Sequence, residues 1–144
     1  MRRMLTIYSR IVVPYDHSEL SKKALQSAIT LAKQDNKIEL YVLMVIQPEI
    51  TIAYQQTNTR EYQREAFGKL RNIIETELSV LPNRTRTFVL EGNPPSLIVD
   101  FVKEHDGDLV VMGSRGLSGL KELFLGSVSH YVVQKAPCPV LVVK

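Results

Sequence analysis

Much of the chemistry that a chain of 144 residues can carry is missing from this one. Its single cysteine, Cys138, excludes an internal disulfide and a cysteine-based zinc site. Flanked by Pro137 and Pro139, it reads as a small packed hydrophobe. The three histidines, His17, His105 and His130, are scattered and lack Asp or Glu at ligand spacing, so no metal site is read. Ser18 has no GxSxG context, so no catalytic nucleophile is assigned. Neither GxxxxGK followed by Ser or Thr nor GxGxxG occurs, which removes the two commonest glycine fingerprints for nucleotide phosphates. No run approaches the roughly 18 apolar residues that span a bilayer. The basic start, with Arg2, Arg3 and Arg10, lacks a long apolar core and a small-residue cleavage site. The expectation is a cytoplasmic protein without a membrane partner. The 18 Lys and Arg are interspersed with 15 Asp and Glu, so the net charge of +3 forms no clustered nucleic-acid footprint. There is no internal repeat, linker or low-complexity segment, and at this length one domain buries roughly two-thirds of its unfolded surface.

What is present alternates. Arg10 to Tyr15 is a continuous apolar run of strand type, and Ser18 caps a helix expected from Glu19 to about Lys33, with Leu20, Ala24, Ala28, Leu31 and Ala32 on one face. Lys37 to Ile46 reads as a second strand. Gln47 to Thr59 is polar and without period, the pattern of a long loop that acts as a lid or is a disordered connector. A helix follows from about Arg60 to Leu81, its stripe being Leu70, Ile73, Ile74, Leu78 and Leu81, and Pro82-Asn83 stops it. Thr85 to Leu90 is a third strand. Asn93 is read as the cap of a third helix, with Pro94 at its first position and Leu97, Ile98, Phe101 and Val102 inward; Gly107 closes it. Asp108 to Met112 and Val140 to Val143 are the last strands, separated by a glycine-rich turn and a helix ending near Ala136. Strands alternating with helices predict an α/β fold with a doubly wound parallel sheet, helices on both faces and ligands at the carboxyl ends of the strands.

The organising stretch is Asp108 to His130: a buried strand, then Gly113, Gly116 and Gly119, then Gly126, Ser127 and Ser129 opening a helix. Glycines let backbone amides approach an anion, a helix N-terminus offers unpaired N–H groups, and the two hydroxyls add donors. Two readings stand on spacing alone: a phosphate cradle, or glycines that only shape a turn before an N-cap serine. Asp16, just past the first strand, is in the same position, either a carboxylate for a ribose diol or an Asx-turn. Arg115, between two of the glycines, is either a phosphate clamp or a solvated loop arginine, and Lys121 reads as a solvent-facing charge.

Gly113, two residues, Gly116, nine residues, then Gly126-Ser127 resembles the ATP-binding signature of the universal stress protein family. The similarity extends to Ile11-Val-Val-Pro-Tyr-Asp-His-Ser18, Glu91-Gly-Asn-Pro94, Asp108-Leu-Val-Val-Met-Gly113 and Pro137-Cys-Pro-Val-Leu-Val-Val143. It implies a single domain over 1–144 with strand order 3-2-1-4-5, which sets the first and fourth strands side by side and brings Asp16 to the glycine loop. It also implies an adenine nucleotide, ATP with Mg2+ or AMP or ADP, held by Pro14, Tyr15 and Asp16 at the ribose. Val45 would present its backbone to the adenine and Met112 would pack on the ring; Gly113, Ser114, Arg115, Gly116, Gly126, Ser127, Val128 and Ser129 would hold the phosphates. Tyr15 is bulkier than the aliphatic residue expected there, so its ring is expected over the sheet. The resemblance further implies a homodimer through the C-terminal strand, with a stress-response role as a nucleotide-dependent switch rather than an enzyme. The alternative is a dimeric interaction module of the same fold that binds no nucleotide.

Overall fold

The computed structural model describes residues 8–48, 53–115 and 125–144. Its strands are β1 (Arg10–Pro14), β2 (Glu39–Ile46), β3 (Thr85–Glu91), β4 (Leu109–Gly113) and β5 (Val140–Val143), and its helices are α1 (Glu19–Ala32), α2 (Ala53–Leu78), α3 (Pro94–Glu104) and α4 (Ser127–Lys135). All strands are parallel in the order β3-β2-β1-β4-β5. The middle strands are apolar on both faces because both are covered. Ile11, Val13, Leu40, Val42, Met44, Leu109 and Val111 pack under α1 and α2, while Val12, Tyr41, Leu43, Val110 and Met112 pack under α3 and α4. The α/β doubly wound expectation holds, strand order included.

Local chemistry sets the boundaries. Ser18 caps α1 by accepting from the Ser21 amide at 3.2 Å, and the buried face is Ser21, Ala24, Leu25, Ala28, Ile29 and Ala32. Leu20 and Leu31, expected on that face, are half-buried at its margins. Asn93 stands at the α3 N-cap, but its side chain bonds Ser96 Oγ instead of capping a backbone N–H. Prolines 94 and 95 remove the amide donors of the first two helical positions, so of the first three only Ser96 has an N–H to cap. Three contacts were not legible beforehand. The Asn83 amide reaches the carbonyls of Ala32, Asp35 and Ile38, tying the end of α1 to the start of β2. Asp108 precedes β4 and accepts from Ser9 N, Ser9 Oγ and Arg10 N, fixing the amino end of β1. Near that end the rings of Tyr41, Phe88, Phe101 and His105 cluster, with Arg10 over Tyr41 and Arg86 over Phe88. Cys138 is half-buried against the α3/α4 side, and burial pushes its thiol up, away from the reactive thiolate.

Two expectations are corrected. The stretch from Gln47 to Thr59 is not one long loop, because α2 begins at Ala53. Residues 53–67 contain neither Gly nor Pro and are rich in helix formers, so they sustain a helix without the apolar stripe that the sequence reading required. Within α2, Ile74 and Leu78 are buried and Leu70 packs at the edge of the core, but Ile73 is 62% exposed. The helix ends three residues before Leu81, which packs from the following turn.

The end of α3 carries a smaller surprise. The Gly107 amide bonds Val102 O and the Asp106 amide bonds Lys103 O, the hydrogen bonds of a Schellman turn, yet the left-handed residue is Asp106 at φ 53°. Gly107 is required for a different reason: a Cβ there would lie 2.8 Å from Val12 Cγ2. Asp106→Gly is therefore expected to stabilise the protein by about 1 kcal/mol by removing the left-handed cost. Thermal melting should register this as a rise of a few degrees.

Candidate functional site

The site expected at the carboxyl edge forms where β1 stops short of its neighbours. β1 ends at Pro14, opposite Leu43, and Tyr15 N still donates to Leu43 O at 2.9 Å, whereas β2 continues to Ile46. Backbone groups alternate sides along a strand with a period of two. With Leu43 O toward β1 and Ile46 O toward Gly92 N, the N–H and C=O of Val45 face the β1 side, beyond the last paired residue of β1. Val45, Met112 and Val128 belong to one apolar cluster on the α3/α4 side of that gap, with Met112 buried and the two valines half-buried.

Across the gap the chain turns through Asp16-His17-Ser18. The Asp16 carboxylate accepts from the Ser18 amide at 3.0 Å, so the Asx-turn reading of Asp16 is present in the structure. A carboxylate has about four lone-pair directions, so this bond does not exhaust its accepting capacity. Between them His17 adopts φ 66°, a left-handed conformation that costs a non-glycine residue about 1 kcal/mol. The Tyr15 ring is buried among α1/α2-side core residues, as its bulk suggested, and its hydroxyl meets His17 Nδ1 at 3.2 Å. Burial, together with Glu77, Asp16 and Glu19, raises the Tyr15 phenol above its ordinary value, so it remains a neutral hydroxyl. Ser21 braces the turn: its Oγ donates to Ser18 O at 3.0 Å and accepts from the Asp16 amide at 3.4 Å.

On the β4 side, one carbonyl joins the end of β4 to the start of α4. Ser114 N donates to Val143 O, and Ser114 O accepts from Gly126 N and from Ser129 Oγ, both at 2.7 Å. The two ends of the 115–125 segment are thereby held together at the mouth of the gap. Gly126 is the N-cap of α4 and Ser127 its first residue, so the opening expected near Gly126-Ser127 lies there, but the N-cap role assigned to Ser127 passes to Gly126. Ser127 is exposed; Ser129 is buried, with its hydroxyl committed to the carbonyls of Ser114 and Gly126. That placement makes Ser129 a brace rather than a hydroxyl turned to a ligand. The α4 amides after the cap, those of Ser127, Val128 and Ser129, have no intrahelical acceptor, as in the first turn of any α-helix. Arg115 is half-buried, and its Cα would lie 3.5 Å from a Cβ at Gly126. A Cβ at Gly113 would lie 2.8 Å from Leu20 Cβ, so β4 and the start of α1 are in close contact. Gly116, Gly119 and Lys121 lie outside the described residues.

The structure thus brings Pro14, Tyr15, Asp16, Val45, Met112, Gly113, Ser114, Arg115, Gly126, Ser127 and Val128 to one end of the sheet, and Ser129 beneath them. What the sequence reading missed is the pivot at Ser114 O, a backbone group with no residue signature, and the Ser21 brace, whose only signal is the Ser18-x-x-Ser21 spacing. Two shallow depressions among the described residues lie elsewhere, flanking β3. One is lined by Leu90, Leu97, Asp100 and Glu104, the other by Ile46, Arg64, Arg71 and Glu91. Neither contains a group of three metal-ligating side chains, and the described residues hold none elsewhere.

Comparison with known proteins identifies the family. Residues 7–144 match the model of the universal stress protein family. Universal stress protein YxiE of Bacillus subtilis is 35% identical over 149 aligned positions, covering 96% of this chain and all of the relative. The solved structure of protein MJ0577 of Methanocaldococcus jannaschii superposes with a TM-score of 0.89 at 30% identity, covering 96% of this chain and 97% of that one. A protein of the same family from Arabidopsis thaliana, solved with AMP bound, has a TM-score of 0.70 at 22% identity, covering 94% of this chain and 91% of that one, a likeness of fold. With a family model spanning nearly the full length and close relatives matched end to end, this chain belongs to the universal stress protein family.

Proposed function

We propose that this protein binds ATP or a related adenine nucleotide in the gap between β1 and β4 and acts as a nucleotide-dependent regulatory module rather than as an enzyme. The observation that carries the reading is the convergence at Ser114 O, which sets the N-terminus of α4 beside the end of β4, the strand that neighbours β1 and so the turn at Asp16. Three kinds of group then match three parts of one ligand. The backbone of Val45, beside Met112, suits an adenine edge and face. The Asp16 carboxylate suits a ribose diol. The α4 amides and the Ser127 hydroxyl suit phosphate oxygens, because a helix start carries unpaired donors and a positive partial charge. Mg2+ would enter on the phosphates, with water completing its shell. The AMP-bound relative supports the ligand class. Denaturing the purified protein and separating what is released should yield an adenine nucleotide. Its absence, with no calorimetric heat for ATP or AMP, would favour the reading as an interaction module that binds none.

The same proposal includes a homodimer through β5. Among the described residues β5 pairs only with β4, so it ends the sheet, and Leu141 is 43% exposed. The other edge, β3, carries Arg86 and Glu91, whereas β5 consists of four aliphatic residues with no charge to discourage pairing. An isologous contact would cover it with its own copy. Val142→Pro is expected to convert a dimer into a monomer in light scattering at tens of micromolar. A parent that is monomeric there, or a variant that still dimerises, would remove β5 from the interface.

A further inference from the structure

The residue between the site's carboxylate and the cap of α1 is held in an unfavourable conformation. His17 is exposed, lies at φ 66°, and is joined to the buried Tyr15 hydroxyl at 3.2 Å. A glycine would satisfy this backbone without penalty, so the local geometry alone gives no reason for a histidine. The left-handed step has a geometric consequence: it carries the chain back so that Ser18 N meets Asp16 Oδ1 at 3.0 Å, which sets the orientation of that carboxylate. The Tyr15 ring cannot follow small movements of the turn, because it is 7% exposed and packed within the α1/α2-side core. Its hydroxyl is therefore a fixed post on a rigid element, and the imidazole that meets it is the side chain of the strained residue itself. The rings also meet edge to face, with centroids 6.1 Å apart.

We propose that Tyr15 and His17 are positioning residues that lock the left-handed turn and so preset the Asp16 carboxylate for the diol of a ribonucleoside. This rests on the proposed nucleotide reading and deepens it: the pair acts through Asp16, on the nucleoside half of the ligand and not on the phosphates. Removing the hydroxyl leaves the ring packed and the fold intact but frees the turn to sample other carboxylate orientations, which lowers the fraction of protein ready to bind.

The test is calorimetry with adenosine and with ATP on the full chain and its Tyr15→Phe, His17→Gly and Asp16→Ala variants, and on Tyr15→Phe combined with each of the other two. Tyr15→Phe is expected to weaken both ligands by the same factor, about three- to tenfold, the worth of one neutral hydrogen bond. His17→Gly should do the same, and the two together no more than either alone. In the Asp16→Ala background Tyr15→Phe should have no further effect, because the group it positions is gone. Parent-like affinity in Tyr15→Phe, or losses that add to that of Asp16→Ala, would overturn the proposal. Should the parent bind neither ligand, the nucleotide reading fails, and exchange of the Ser18 amide still decides whether the pair holds the turn. Faster exchange in Tyr15→Phe supports the lock, and an unchanged rate overturns it.

Discussion

Gly126→Asp is expected to abolish tight ATP binding while leaving the protein folded and no less stable. A Cβ at this position would lie 3.4 Å from Ser114 O and 3.5 Å from Arg115 Cα, ordinary contact distances, and the residue sits at φ −70° and ψ 165°, open to any side chain. Aspartate is moreover among the best N-cap residues, so α4 gains a cap in place of glycine. The same carboxylate stands where the proposed phosphates approach. At about 4 Å and an effective dielectric of about 20 the repulsion is at most roughly 4 kcal/mol, about a thousandfold in affinity. Ser127→Ala should cost roughly 1.5 to 3 kcal/mol for one hydrogen bond to a charged group. Both losses should shrink for adenosine, which lacks phosphates, whereas Asp16→Ala should weaken ATP and adenosine alike. Calorimetry with the two ligands, beside thermal melts, separates the effects. ATP binding as tight as the parent's in Gly126→Asp would leave the glycines with only a turn to shape.

Gly113→Ala is expected to destabilise the protein by roughly 2 to 3 kcal/mol, and Gly68→Ala to stabilise it by about 1 kcal/mol, although the two substitutions are chemically identical. Gly68 lies inside α2 with nothing within 4 Å of an added Cβ, so alanine only removes backbone freedom from the unfolded chain. At Gly113 the added atom meets Leu20 Cβ at 2.8 Å, Leu20 C at 3.0 Å and Arg115 O at 3.2 Å. Two of those three are backbone atoms that cannot rotate away, so the start of α1 must move off β4. Because Asp16 and Ser18 lead directly into α1, Gly113→Ala should also weaken adenosine. Melting temperatures of the two variants should move in opposite directions, with a fall of several degrees for Gly113→Ala. Equal shifts would mean that the β4–α1 approach is not tight.

The difference between these two glycines marks what a sequence conveys. Each strand in the middle of the sheet was legible because a run such as Val110-Val-Met112 has no polar residue to put toward water, and the start of α1 was legible because Ser18 offers the cap that its first turn requires. Alternation of such runs with helices left a parallel, doubly wound sheet as the arrangement that buries them all. The sequence by itself therefore determined the fold class and the boundaries of most elements, whereas the residues expected at the carboxyl edge came from the family resemblance, because spacing alone left Asp16 and the glycines with two readings each. It could not determine what those residues do to each other, because hydrogen-bond acceptors such as Ser114 O, Leu43 O and Ala32 O are backbone atoms common to every residue, and only tertiary structure selects among them. For the same reason Ser129 became a brace and Gly126 took the cap read into Ser127, while among the described residues the left-handed conformations fell on His17 and Asp106 instead of on glycines. The unstriped start of α2 was decided by helix propensity with no core-facing pattern to announce it.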